Sequence, residues 1–228
     1  MDTRHYIAWR AAQELEDGDI VNLGIGVPVL VADYIPENRQ VFLQSENGIL
    51  GVGPTPPPDK SDPDLINASK LPISELVGAS YFDSALSFAM MRGGHVDKTV
   101  IGALQVSETG DIANWAVPGK DVLGVGGAMD LIVGAKTVIV ATTHLTPDGK
   151  PKLVPSCTYP LTAKGEVDIL VTEYAVFRFQ DSKMILVEMV DELSLDQLHE
   201  ITPARFELSK NFYAVSRPEV YSSPIKVT

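Results

Sequence analysis

Two short apolar runs, Ile20-Val21-Asn22-Leu23 and Val41-Phe42-Leu43-Gln44, flank a segment that opens on Gly24-Ile25-Gly26 and continues from Pro28 to Tyr34. Both runs have the length and composition of strands, and a proline in the first turn suits the start of a helix between them. A strand, a helix and a second strand in this order imply a right-handed crossover. The two strands then lie parallel, with both carboxyl ends at one edge of a sheet. This unit restricts the chain to α/β architectures, and it directs attention to the carboxyl edge, where open α/β sheets bind ligands.

The remaining pattern extends the unit. Ile7, Ala8, Ala11, Ala12 and Leu15 recur at helical spacing and Gly18 supplies the stop. Ser84 to Met91 predicts a second helix before Gly93-Gly94, Ala128 to Ala135 a third, and Ser194 with Gln197 a capping box opening a fourth. Thr99 to Val106, Thr137 to Ala141, Val167 to Val171, Ala175 to Phe179 and Met184 to Val190 have the Val, Ile and Leu content of strands. From Gly51 to Pro72, Pro56-Pro57-Pro58 and Asp62-Pro63-Asp64 destroy any period, so a long functional loop is expected. The expected fold is a single α/β domain over residues 1–228, an open and mostly parallel sheet flanked by helices. Its C-terminal part is expected to be more antiparallel, because the last strands follow one another closely.

Charge and composition exclude several classes. Lys and Arg total 18 against 30 Asp and Glu, a formal charge of −12 with no basic block, so nucleic acid is not an expected partner. Met1 to Glu16 carries Arg4, Arg10, Glu14 and Glu16 among its apolar residues, so neither a signal peptide nor a membrane span is expected there, and a cytoplasmic setting is. Cys157 is the only cysteine, a packed thiol suited to a reducing compartment. Four scattered histidines give no metal-ligand spacing, and no Gly-x-Ser-x-Gly elbow is present. Arg92-Gly93-Gly94-His95 and His144 offer polar groups of a kind that is more often structural.

Three segments could carry chemistry. Gly24-Ile25-Gly26 begins like a dinucleotide fingerprint with Glu46 as its ribose acid, but Val29 stands where the third glycine belongs and Pro28 removes a donor N–H. A nicotinamide cofactor is therefore not expected. Gln44 to Gly51 sets the carboxylate of Glu46 between an apolar strand and a glycine turn, a place where a lone acid is ordinarily a turn residue. Gly124-Val125-Gly126-Gly127-Ala128-Met129-Asp130 leaves backbone open to close approach by a phosphate, a carboxylate or a developing oxyanion.

Several stretches, in order, resemble the β subunit of the bacterial family of 3-oxoacid and short-chain acyl coenzyme A transferases. They are Val21 to Gly26, Gln44 to Gly51, Asp64-Leu65-Ile66-Asn67-Ala68, Arg92 to His95, Ala113-Asn114-Trp115, Pro118-Gly119-Lys120, Gly126 to Leu131 and Pro160-Leu161-Thr162. The resemblance covers most of the chain and implies the three-layer coenzyme A transferase fold. It implies that Glu46 is the covalent nucleophile of a ping-pong reaction and that Asn22, Lys70, Gly124, Gly127 and Ala128 stand near the bound coenzyme A or its oxyanion. Where the family usually has glycine before that lysine, this chain has Ser69. Coenzyme A is implied as a substrate, with no permanently bound cofactor and no metal.

The resemblance further implies a partner α subunit, in a heterodimer or an α2β2 heterotetramer, acting on acyl-CoA and short-chain carboxylates. Val117 to Lys120, Pro160 to Ala163 and Ala175 to Phe179 are most similar to the acetate or butyrate–acetoacetate branch, while Leu153-Val154-Pro155 and Cys157 to Pro160 are similar to the 3-oxoadipate branch. Short-chain 3-oxoacids are favoured, with 3-oxoadipate or succinyl-CoA:3-oxoacid transfer as the alternative. Two rivals share the scaffold: an acyl-CoA hydrolase, which would admit water to the intermediate, and a non-catalytic sensor of a phosphorylated metabolite, which would leave Glu46 idle.

Overall fold

The computed structural model describes residues 1–119, 124 and 126–218; Lys120 and Val125 of the motifs above lie outside the described residues. In chain order the elements are α1 (Thr3–Ala12), β1 (Ile20–Leu23), β2 (Phe42–Ser45), β3 (Ile49–Val52), β4 (Glu75–Tyr81), α2 (Ser84–Arg92), β5 (Lys98–Ile101), β6 (Gln105–Ser107) and β7 (Ile112–Ala113). They continue with α3 (Ala128–Gly134), β8 (Thr137–Ala141), β9 (Leu153–Val154), β10 (Ile169–Val171), β11 (Ala175–Gln180), β12 (Lys183–Val190), α4 (Leu195–Glu200) and β13 (Glu207–Val215). Ten strands form one sheet in the order β13-β12-β11-β10-β8-β5-β1-β2-β3-β4, and β7-β6-β9 form a small second sheet.

The centre of the large sheet, from β10 through β8, β5 and β1 to β2, is parallel throughout. Antiparallel pairs occupy both margins rather than the C-terminal one alone. The added margin exists because the chain turns straight back after β2, so that β3 and β4 extend the sheet where a loop was expected from Gly51. On the other side, β13 returns parallel to β12 across α4, whose capping box at Ser194 and Gln197 is formed as expected. The crossover between β1 and β2 is a 3-10 helix over Pro28–Tyr34, opened by proline without a side-chain cap. Gly102 separates the expected strand over Thr99 to Val106 into β5 and β6, which join different sheets.

Alternation along the central strands feeds two cores. Ile139 and Ala141 of β8, Val100 of β5 and Val171 of β10 pack with Ile7, Ala8, Ala11 and Leu15 of the N-terminal segment. On the opposite face, Val138 and Val140, Ile101 and Leu170 pack with Ile132 of α3 and Leu198 of α4. Strands covered on both faces read as unbroken apolar runs, which is why these were legible without a period. One row breaks the rule: Gln44, Asn22 and Thr99 are register partners across β2, β1 and β5, and all three are buried.

Helix α1 is clamped to the C-terminal strands by charge. Arg10 donates to both oxygens of Glu188 at 2.8 to 3.0 Å and to Glu14 at 2.8 Å, while Tyr213 Oη donates to Glu188 Oε2 at 2.8 Å. Burial pushes the Cys157 thiol up to about 11, so it stays protonated and inert near neutrality. No helix among the described residues is long and apolar enough to cross a membrane, and none of their His, Cys, Asp and Glu side chains group in a way that would hold a metal ion.

His144 is fully buried, with Nδ1 at 3.1 Å from Thr172 Oγ1 and Nε2 at 2.9 Å from Thr202 Oγ1. Desolvation holds its imidazole down at about 3. The unfolded chain therefore binds a proton that the folded chain refuses between pH 6.5 and about 3, and stability falls as pH drops through that window. Urea unfolding is expected to lose up to about 1.4 kcal/mol per pH unit there from this residue, and a His144→Gln variant to show a correspondingly shallower pH dependence.

Candidate active site

Strand β2 ends at Ser45, and Glu46-Asn47-Gly48 turn the chain into β3 with Ser45 opposite Ile49. The Gly48 N–H donates to Ser45 O at 3.0 Å, and Phe82 N–H donates to Gly48 O at 3.0 Å. Gly48 has φ +118°, and a Cβ there would lie 1.9 Å from Phe82 O. Only glycine satisfies both the left-handed backbone and the contact. Glu46 is thus carried on a tight turn at the carboxyl edge of a parallel strand, the place that the β-α-β reading singled out.

Glu46 is half-buried, and Asn22 Nδ2 stands 3.2 Å from its Oε2. The same Nδ2 donates to Gln44 Oε1 at 2.7 Å and reaches Gln44 O at 3.2 Å. Gln44 Nε2 in turn donates to Ser87 Oγ of α2 at 2.7 Å. Asn22 and Glu46, named from the sequence, are therefore brought together. Gln44 and Ser87 were missed as site residues, although a polar side chain inside each apolar run, Asn22 in one and Gln44 in the other, was a visible signal.

Lys70 lies in a turn fastened to the same hairpin. Ala68 N–H donates to Ser45 Oγ at 3.0 Å, and Asn47 Nδ2 donates to Ile66 O at 2.7 Å, so the Asp64–Ala68 and Gln44–Gly51 motifs form one unit. The turn closes by Lys70 N–H to Asn67 O at 2.9 Å and Leu71 N–H to Asn67 Oδ1 at 3.0 Å. Lys70 itself is left-handed, with φ +61°, a conformation that costs a lysine about 1 kcal/mol or more. Ser69 keeps an ordinary backbone, so its replacement of glycine leaves the turn intact.

Gly124 has φ +105°, Gly127 is the N-cap of α3, and Ala128 is its first residue. A Cβ on Gly127 would lie 3.2 Å from the Phe88 ring of α2, next in sequence to Ser87. Helix α2 therefore touches the Gln44 amide with one residue and the glycine segment with the next. At its far end Arg92 pairs with Asp130 of α3 at 2.6 Å. Asn114 and Trp115 are structural: Thr162 Oγ1 donates to Asn114 Oδ1 at 2.7 Å and Trp115 Nε1 donates to Leu161 O at 3.2 Å. A cavity of about 470 Å³, lined by Leu23, Leu43, Ser45, Ala68 and Leu71 among others, lies beneath the 53–72 loop, and Glu46 is not in its wall.

Residues 4–200 match the family model described as Coenzyme A transferase. The beta chain of the acetate CoA-transferase of Escherichia coli (strain K12) is 54% identical over 209 residues, covering 92% of this chain and 95% of that one. The corresponding chain of the succinyl-CoA:3-ketoacid coenzyme A transferase of Helicobacter pylori (strain ATCC 700392 / 26695) is 51% identical over 205 residues, covering 90% of this chain and 99% of that one. Among solved structures, the acyl-CoA transferase apoenzyme of Escherichia coli O157:H7 superposes with a TM-score of 0.77 at 21% identity over 94% of this chain, which spans 43% of that longer one. At that identity the superposition speaks for the fold alone.

Gly48→Ala is expected to destabilise the hairpin by about 2 kcal/mol or more, because the backbone at Phe82 must retreat. Chemical denaturation against the parent protein measures the loss.

Proposed function

The chain belongs to the coenzyme A transferase family, and from that premise we propose that it is the carboxylate-bearing subunit of an enzyme moving coenzyme A between a short-chain acyl-CoA and a 3-oxoacid, with Glu46 as the nucleophile. One observation carries the reading. Glu46 stands on a rigid turn at the carboxyl edge of the parallel sheet, with an amide N–H of Asn22 at Oε2. The relatives named for acetate and for succinyl-CoA:3-ketoacid transfer favour that substrate class over 3-oxoadipate.

In the first step a Glu46 oxygen attacks the thioester carbonyl of the donor, the C–S bond breaks, and coenzyme A leaves as thiolate with the electron pair. The product on the enzyme is an acyl–glutamyl anhydride. The thiolate then attacks the glutamyl carbonyl, the C–O bond to the donor acyl group breaks, and the donor acid leaves as carboxylate. An acceptor carboxylate reverses both steps. A carboxylate is a weak nucleophile, so positioning and donors for the developing oxyanion carry the rate. Asn22 Nδ2 is placed to serve the glutamyl oxygen. Lys70 and the backbone at Gly124, Gly127 and Ala128 hold the carrier, with Lys70 offering positive charge to its phosphates. The chemistry calls for no metal and no permanently bound cofactor.

The anhydride survives only where water is excluded, and this chain leaves the flank of the hairpin open. Strand β4, joined to the Glu46 hairpin through β3, is a sheet edge exposing Leu76, Val77 and Tyr81, and Leu86 of α2 is exposed as well. Such an edge invites a covering chain. A partner α subunit docked along β4 would complete the pocket in an αβ or α2β2 assembly, in the cytoplasm. That this chain spans less than half of a longer acyl-CoA transferase chain supports the division into halves.

Given acetoacetyl-CoA, the protein with its partner is expected to form a borohydride-sensitive adduct that mass spectrometry places on Glu46, and Glu46→Gln to lose more than about a thousandfold in transfer rate. A label elsewhere, or full transfer by that variant, rejects the reading; free coenzyme A released at the full rate without an acceptor replaces it with hydrolysis. Product analysis with acetate, butyrate, succinate and 3-oxoadipate fixes the acceptor. Val77→Glu is expected to abolish copurification of the α subunit while circular dichroism of this chain is unchanged.

A further inference from the structure

The buried row beneath Glu46 is unusual for a core. Asn22, Gln44 and Ser87 are 0, 3 and 0% exposed, on a face of the sheet whose other positions hold valine, leucine and isoleucine. Polar groups so buried are costly unless each is bonded. Here the bonding has a direction. Asn22 Nδ2 faces Gln44 O and the Glu46 carboxylate, and both can only accept, so the nitrogen end of the amide must point at them. Gln44 is thereby obliged to offer Oε1 to Asn22, which turns its Nε2 to Ser87 Oγ.

The chain of bonds closes on itself. Ser87 sits one turn into α2, whose N-cap Asp83 accepts from Leu86 N–H at 2.8 Å and from Ser87 N–H, through its backbone oxygen, at 3.0 Å. The preceding residue, Phe82, is bonded to Gly48 of the hairpin that carries Glu46. From Glu46 the ring runs through Asn22, Gln44, Ser87, Asp83, Phe82 and Gly48 back to Glu46.

We propose that Gln44 and Ser87 are positioning residues, which hold the nitrogen end of the Asn22 amide on Glu46 through the whole turnover. The proposal rests on the reading of Glu46 as nucleophile. While Glu46 is an anion, its own charge attracts the Asn22 N–H. Once Glu46 is acylated that charge is gone, and the amide would be free to present Oδ1, which repels the oxyanion of the second attack. Gln44 Oε1 remains an acceptor throughout, and Ser87 stops Gln44 from turning over. Asn22 Oδ1 and Thr99 Oγ1, partners in register, are buried without a hydrogen-bond partner among the described residues, so the other end of the row supplies nothing in the structure to fix the amide.

The test uses the protein with its partner subunit and acetoacetyl-CoA, comparing Gln44→Met, Ser87→Ala and the double variant. Rapid-quench mass spectrometry follows the adduct on Glu46, and steady-state assays give kcat and KM. Each single variant is expected to lower kcat and the rate of adduct turnover about 10- to 100-fold, with KM for the acyl-CoA and the final adduct occupancy within about twofold of the parent. The double variant is expected to lose no more than Gln44→Met alone, since the two residues act in series. Unchanged kcat in Ser87→Ala, multiplying losses in the double variant, or losses confined to KM and thermal stability would overturn the proposal. Absence of any adduct on Glu46 in the parent protein instead overturns the nucleophile reading, and the proposal with it.

Discussion

The register between β1 and β2 sets Asn22 opposite Gln44, and the site is built outward from that pairing. A one-residue slip would send Asn22 to the face packed by α1 and would leave Glu46 with no amide beside it. Three features guard the register. Val21 and Val41 are anchored in the core under α1, the 3-10 crossover fixes the approach of β2, and Gly48 locks the far end of β2 against Phe82. Each is a packing or steric constraint, and none involves the reacting carboxylate. The geometry of Glu46 is therefore inherited from the scaffold rather than created at the site.

The distribution of polar groups through the core follows a division of labour. Where the chain needs attachment, it uses saturated networks: Arg10 with Glu188 and Tyr213, or His144 between two threonines, every strong donor matched. Under Glu46 the row ends in two oxygens without partners among the described residues. Unsatisfied buried groups are rare enough in folded proteins that their place beneath the carboxylate is informative. A left-handed lysine two residues beyond the loop's bond to Ser45 adds backbone strain at the same edge. Strain and unmet polarity thus gather around one hairpin while the remainder of the sheet is conventionally packed, as expected where binding rather than stability has shaped the residues.

The sheet's margins explain how half of a catalytic site can be a stable fold. The parallel centre buries both faces by itself, so its strands do not depend on a partner. Strand β4 does: it is exposed along most of its length and lies one strand from the hairpin. The chain is thereby finished in its core and open at the edge that flanks the chemistry.

The sequence alone determined the parallel centre, because unbroken runs such as Thr137 to Ala141 and the crossover from Leu23 to Val41 depend only on local apolar content and chirality. It determined that Glu46 ends a strand, that glycine follows it, and that a capping box opens the last helix, all of which are local backbone requirements. Tertiary structure alone decided that Ile49–Val52 and Glu75–Tyr81 extend the sheet, that the prolines of the loop fasten back through Ala68 to Ser45, and that Ser87 stands under Gln44. These are pairings between residues 19 to 43 positions apart. No propensity encodes them, because the free energy that selects them comes from contacts that exist only once the sheet has formed.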